Sequence, residues 1–177
     1  MNIRPANDED RTAIAAVHAA SWQDAYRGIL SDAYLEDRVT ADRSRHWREI
    51  EMRPDDVVIV ADDGGVIGFI AIWCRPDPYI DNLHVLPGLR SKGVGGKLMV
   101  AAAEELLRRG KSTAYLWVFE QNRRAVRFYE SLGGVVVARV MQPTVGHDLP
   151  DLKVVWSDLS VIARQQEALE RPPNRGS

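Results

Sequence analysis

The stretch Leu83-His84-Val85-Leu86-Pro87-Gly88-Leu89-Arg90-Ser91-Lys92-Gly93-Val94-Gly95-Gly96-Lys97-Leu98 constrains this chain most. A strand over Tyr79–Leu86 ends at Pro87-Gly88. Val94, Leu98, Ala101/Ala102 and Leu106 then recur at helical spacing until Gly110. A strand thus runs through a loop into a helix with three glycines in its opening turn. The first N–H groups of a helix have no intrahelical acceptor and sit at the positive end of its dipole. With no side chains in the way they form an anion site, best suited to phosphate. Arg90, Lys92 and Lys97 add charge nearby. Two familiar phosphate loops do not fit. Gly88 and Gly93 are spaced as in G-x-x-x-x-G-K-[ST], but Val94-Gly95 replaces the lysine and hydroxyl residue, which disfavours ATP or GTP. Gly93-Val94-Gly95-Gly96-Lys97-Leu98 has leucine where a dinucleotide fingerprint needs its last glycine. The competing reading is a helix start that merely permits close packing.

Around this loop the sequence predicts a β-α-α-β-β-β-α-β-α-β-β order. Ile3-Arg4 is a first strand. A helix opened by Asn7 or Asp8 carries Ile14, Val17 and Ser21/Trp22 on one face, and Gly28 breaks it. A second helix runs over about Thr40–Met52. Val57–Ala61 and Val66–Trp73 are strands joined by the turn Asp62-Asp63-Gly64-Gly65. Thr113–Phe119 is a strand, and Asn122 caps a helix that ends at Gly133. Val135–Val140 and Leu152–Trp156 are final strands. Early and late hairpins around a βαβα unit argue for an α/β chain with a mixed sheet and helices on both faces. Residues 1–160 read as one domain, and 161–177 as a frayed helix and loose tail.

Charge is segregated. Residues 1–89 carry 9 Lys/Arg against 16 Asp/Glu, and residues 90–127 carry 9 against 3. A basic middle suits an anionic ligand, and the acidic part suits a cationic one, although solvated helix faces give the same blocks. The chain as a whole is net −2 and has no zinc-finger spacing or RNP-like motif, which argues against nucleic acid. Its single cysteine, Cys74, excludes an internal disulfide and a multi-cysteine metal site. No apolar run is long enough to cross a bilayer, and no signal pattern opens the chain, so a cytoplasmic protein with no membrane partner is expected.

Arg90-x-x-Gly93-x-Gly95 resembles the [QR]-x-x-G-x-[GA] signature of the GCN5-related N-acetyltransferases (GNAT). Leu83-His84-Val85-Leu86-Pro87 is similar to that family's L-x-V-x-P strand end. Asn122-x-x-Ala125-x-x-Phe128-Tyr129-Glu130-Ser131-Leu132-Gly133 resembles its N-x-x-A-x-x-F-Y-E-x-x-G segment. The resemblance implies a mixed, mostly antiparallel sheet of about seven strands flanked by helices. It implies acetyl-CoA as co-substrate and no metal. The diphosphate would lie on the backbone of Ser91, Lys92, Gly93, Val94, Gly95 and Gly96, supported by Arg90, Lys92 and Lys97. The pantetheine arm would run along Leu83, His84 and Val85, pairing with the backbone of Leu83 and Val85. Asn122, Ala125, Phe128 and Tyr129 would complete the cofactor wall, with simple N-capping the competing role for Asn122.

Acyl transfer to an amine needs a deprotonated nucleophile, a donor to the carbonyl oxygen and a proton for the leaving sulfur. By resemblance the Val85 N–H is the donor and Tyr129 the acid, since a phenol is neutral at pH 7 and has a proton to give. Strand alternation puts Tyr79, Asp81, Leu83 and Val85 on one face. Tyr79 stands where related sequences often carry Glu, so Asp81 is the expected base, directly or through water. His84 has the opposite parity and reads as structural. Ser21-Trp22-Gln23-Asp24-Ala25-Tyr26-Arg27-Gly28-Ile29-Leu30-Ser31-Asp32 resembles a segment that walls the acceptor site in one bacterial branch. Trp22 and Tyr26, four apart, share a helix face there. Tyr79, Asp81 and His147, the last in a loop before the final strand, are further acceptor-site residues. The expected reaction is acetylation of a small cationic primary amine. The alternatives are acetylation of a protein N-terminus or lysine, and a non-catalytic acyl-CoA sensor. A homodimer is compatible with all three.

Overall fold

The computed structural model describes residues 1–144 and 147–165; the side chains of Thr144 and His147 lie outside that description. One seven-stranded sheet has the order β1-β2-β3-β4-β5-β7-β6. Its strands are β1 (Asn2–Pro5), β2 (Val57–Asp62), β3 (Val66–Cys74), β4 (Pro78–Val85), β5 (Ala114–Phe119), β6 (Val135–Thr144) and β7 (His147–Trp156). Every neighbouring pair is antiparallel except β4 with β5. The helices are α1 (Arg11–Ala25), α2 (Asp32–Asp37), α3 (Val39–Glu49), α4 (Val94–Arg108), α5 (Arg123–Ser131) and α6 (Ser160–Ala163). None among the described residues is long and apolar enough to cross a membrane.

The two faces of the sheet are separately covered. Alternation along β3 sends Ile70 and Ile72 to one side, where they pack with Leu98, Met99 and Leu106 of α4 and Tyr129 and Leu132 of α5. Phe69, Ala71 and Trp73 go to the other side, against Ile14 and Val17 of α1 and Trp47 of α3. A capping box opens the chain into α1: the Asn7 side chain accepts from the N–H of Asp10 (3.2 Å), and the Asp10 carboxylate accepts from the N–H of Asn7 (2.9 Å). Arg4 on β1 clamps Asp10 and Asp62 with contacts of 2.7–2.9 Å.

Three expectations change. First, β4 does not alternate throughout. Asn82 pairs with Ala71 and Ile80 with Ile72, so Asp81 is an extra residue, a bulge. Tyr79 then opposes Trp73 while Leu83 opposes Ile70, and the two lie on opposite faces. Tyr79 belongs with the α1 side, Leu83 and Val85 with the α4 side. Second, the final hairpin is longer than its apolar pattern suggests. Pro143 pairs with Asp148 and Met141 with Pro150, and His147 opens β7 rather than lying in a loop. Prolines argue against a strand, yet Pro143 is tolerated because β6 is an edge. Third, burial continues just past residue 160: Ile162 on α6 is fully buried in the cluster that contains α4. The tail expected beyond that lies, from residue 166 onward, outside the described residues.

Candidate active site

The parallel pair β4–β5 meets at a single point, Tyr79 with Tyr115, whose rings stack at 5.2 Å. Beyond it the strands diverge. The Leu86 N–H donates to the Ile67 carbonyl of β3 at 2.9 Å. Backbone polar groups alternate in direction along a strand, so the N–H and C=O groups of Val85 and Leu83 turn away from β3, toward the gap. A cleft of about 590 Å³ fills this gap and is lined from both faces of the sheet.

On the α4 side the cleft is walled by Leu83, Val85, Leu116, Val118, Gly93, Gly95, Gly96, Asn122, Ala125, Phe128 and Tyr129. Gly93 caps α4 in a left-handed conformation at φ +78°, and Ser91 is likewise at φ +70°. The first helical bond runs from the Lys97 N–H to the Gly93 carbonyl at 3.0 Å. The N–H groups of Ser91, Gly93, Val94, Gly95 and Gly96 have no acceptor among the described residues. A Cβ at Gly96 would meet nothing within 4 Å, and one at Gly95 would approach the Phe128 ring at 3.5 Å. The loop is therefore an open cradle of N–H groups, lined by glycine where a side chain would stand inside it.

The cations around this cradle divide differently from the sequence expectation. Lys92 and Lys97 are exposed and do not line the cleft, and Val94 turns its side chain into the core. The Arg90 guanidinium reaches across to α1, donating to the Ser21 carbonyl (3.0 Å) and hydroxyl (3.1 Å) and pairing with Asp24. It ties the loop to α1. Arg124, which the sequence reading passed over, lines the cleft and donates to the Ser91 hydroxyl at 3.0 Å. Its position in the first turn of α5, two residues after the Asn122 cap, was the signal available. Asn122 caps that helix, accepting from the Ala125 N–H at 3.2 Å, and lines the cleft as well.

Tyr129 is buried, 5.9 Å from Trp156 in a T-shaped pair. Its hydroxyl has no hydrogen-bond partner among the described residues, and burial pushes its pKa well up, so it keeps its proton. Cys74 stands apart, its thiol also pushed up by burial, which suits packing rather than nucleophilic work.

The α1 side of the cleft brings together Trp22, Tyr26, Tyr79, Asp81, Trp117, Phe119 and Asp151. Tyr26 makes T-shaped contacts with Trp22 and Phe119, both at 5.0 Å. Arg43 already covers the Trp22 ring at 4.6 Å. Burial and the neighbouring Asp151 raise the Tyr26 phenol to about 12. Asp81 Oδ2 accepts from the Trp73 indole (2.9 Å) and the Asn82 amide (2.6 Å), which fixes the carboxylate at the bulge. His84, on this side by parity, lies 3.0 Å from the Ser21 hydroxyl through Nδ1 and stacks on His18 at 4.4 Å. The His147 side chain lies outside the described residues. Four carboxylates of the acidic segment, Asp10, Asp62, Asp56 and Asp24, are spent on internal pairs with Arg4, Arg75 and Arg90. The negative charge that reaches this side comes from Asp81 and from Asp151 of β7, which sequence reasoning missed.

Comparison with known proteins identifies the family. The model of the acetyltransferase (GNAT) family matches residues 19–134. An uncharacterized N-acetyltransferase of Archaeoglobus fulgidus is 36% identical over 140 residues, covering 74% of this chain and 90% of its own. The uncharacterized N-acetyltransferase YuaI of Bacillus subtilis is 30% identical over 170 residues, covering 92% and 96%. The structure of yncA from Salmonella typhimurium with its cofactor acetyl-CoA superposes with a TM-score of 0.65 at 24% identity, over 90% of this chain and 94% of that one. On the strength of the matched family model and of these relatives, the chain belongs to the GNAT family of acetyltransferases and is an acyltransferase.

Proposed function

We propose that the protein transfers the acetyl group of acetyl-CoA directly to a primary amine of a small cationic molecule, with both substrates bound at once. The observation that carries this reading is the opening through the sheet. An anion cradle on one face and two carboxylates on the other meet at the β4–β5 gap. The unpaired N–H groups of Ser91 and Gly93–Gly96 suit a diphosphate, with Arg124 beside them. The outward backbone groups of Leu83 and Val85 suit an amide-bearing arm, walled by Asn122, Ala125 and Phe128. Acetyl-CoA, when bound, supplies an acyl carbon activated by its thioester.

The remaining chemistry belongs to the chain. The Val85 N–H serves as the donor to the carbonyl oxygen as negative charge develops there. Tyr129, protonated and buried, gives its proton to the departing sulfur. Trp22, Tyr26 and Tyr79 wall the acceptor, and Asp81 adds negative potential that favours a cation.

The test starts with the donor. Acetyl-CoA at about 100 times its dissociation constant stabilises a protein by about 2.7 kcal/mol, roughly 5–10 °C of melting temperature for a domain this size. ATP at the same concentration is expected to give no shift. Free thiol should then appear with benzylamine or spermidine as acceptor. Absence of any acetyl-CoA shift removes the donor. A shift without thiol release from any amine leaves a sensor, and release with peptides alone leaves a protein acetyltransferase.

A further inference from the structure

Asp151 is a buried carboxylate with no hydrogen bond to its side chain among the described residues. It lies on β7 directly opposite Phe119 of β5, so its side chain shares the α1 face with Phe119 and Tyr26 and lines the cleft. It is only 7% exposed, and its Oδ1 has no hydrogen-bond partner among the described residues. Buried carboxylates are ordinarily paired or hydrogen-bonded, so an unpartnered one in the wall of a cleft marks a place for a donor from outside the chain. Burial raises the pKa of this carboxyl, the direction that favours taking up a proton. Asp81, across the gap, has one oxygen occupied by Trp73 and Asn82. Of the cations lining the cleft, Arg90 is held by Asp24 and Ser21, and Arg124 sits at the cradle.

We propose that Asp151 holds the ammonium group of the acceptor and takes its first proton, and that the acceptor is a primary amine with no carboxylate beside the nitrogen. This rests on the acetyl-transfer reading above. The ammonium gives one proton to the Asp151 carboxylate, leaving a neutral amine and a carboxylic acid. The nitrogen lone pair forms the C–N bond to the thioester carbon. The C–S bond breaks with its electron pair on sulfur, which takes the Tyr129 proton. The second proton lost by nitrogen, as the amide forms, restores Tyr129 through solvent, and Asp151 releases its own proton to water. The sum is ammonium plus acetyl-CoA giving amide, free CoA thiol and one proton.

The experiment compares wild type, Asp151→Asn and Asp151→Ala, with Asp148→Asn on the exposed part of the same strand as control. Thiol release is followed with benzylamine, spermidine and L-phenylalanine between pH 6.5 and 9.5. Wild type is expected to favour benzylamine and spermidine. Asp151→Asn should lose about 100-fold or more in kcat/KM, regaining part of it at high pH as solvent supplies free amine. Its melting temperature should be no lower than that of wild type, and its acetyl-CoA shift unchanged. Asp148→Asn should match wild type. Activity of Asp151→Asn within about twofold of wild type, at an intact acetyl-CoA shift, overturns the assignment while leaving acetyl transfer standing. A lower melting temperature in both Asp151 variants, in step with lost activity and an unchanged pH profile, makes Asp151 structural and overturns it too. Preference of the wild type for L-phenylalanine overturns the acceptor class. Absence of an acetyl-CoA shift in wild type overturns the transfer reading and this assignment together.

Discussion

At the scale of single residues, the site divides into groups named by motif and groups exposed only by packing. Tyr129 is of the first kind. Its motif located it, and its burial supplies the chemical reason: a phenol that cannot ionise remains a proton donor. Tyr129→Phe keeps the ring, and with it the contact to Trp156. It should therefore melt like wild type and bind acetyl-CoA unchanged, while kcat falls by about 100-fold, the usual worth of a positioned acid. Steady-state thiol release beside a melting curve checks this, and an unchanged kcat reduces Tyr129 to a packing residue. Asp151 is of the second kind. Nothing in Leu149-Pro150-Asp151-Leu152 marks it, because what matters is a neighbour 32 residues away, Phe119, brought alongside by strand pairing. Arg90 shows the reverse case. Its motif was legible, but the partner it reaches, Ser21 on α1, is a tertiary fact.

Among elements, those with a strong local signal were readable to within a few residues. The glycine loop and α4, the hairpin turn at Asp62–Gly65 and the Asn122 cap all follow from backbone requirements written into the sequence. The bulge at Asp81 was not readable, since a single extra residue in a strand leaves no mark on composition. It reverses the parity that strict alternation assigns to Tyr79, moving it from the donor side to the acceptor side. The helix start of α4 offers a test at this scale. Gly96 lies in the first turn, and a Cβ there meets nothing within 4 Å. Alanine in a helix is favoured over glycine by up to about 1 kcal/mol, so Gly96→Ala should raise the melting temperature of the free protein by roughly 2–4 °C. The same methyl stands inside the N–H cradle and should hold a diphosphate away from it, so the added shift from acetyl-CoA should shrink. Opposite signs from one methyl group distinguish a ligand cradle from a helix start that only permits packing. If the acetyl-CoA shift persists in full, the diphosphate lies elsewhere.

For the whole molecule, the sheet that creates the site also fixes how stability responds to pH. His84 lies between α1 and β4, next to Ser21 and stacked on His18. His18 is fully buried and accepts from the Trp47 indole through Nδ1 at 3.0 Å, which requires that nitrogen to be unprotonated. Burial, with Arg90 and Arg43 nearby, lowers His84 to about 3, and burial lowers His18 well below its ordinary value. Unfolded histidines titrate near pH 6.5. Below that pH the unfolded chain takes up protons that the native protein refuses, so the native state loses stability as pH falls. The contribution is complete above about pH 6.5 and declines by up to about 1.4 kcal/mol per pH unit for each histidine until the folded group itself titrates. Asp10 and Asp56, held low by hydrogen bonds from Arg4 and Arg75, act only nearer the ordinary carboxylate range; His46, also lowered by burial, adds to the loss with the same sign, and Asp151, raised by burial, opposes it. Denaturant melts between about pH 6.5 and 5 should show roughly 3 kcal/mol of loss from His18 and His84 together. His84→Gln retains a hydrogen-bonding group facing Ser21 but cannot titrate, and should remove about half of that slope. A slope unchanged by His84→Gln would mean that His84 accepts its proton inside the fold, and that the α1–β4 seam beside the cleft is wetter than its packing implies.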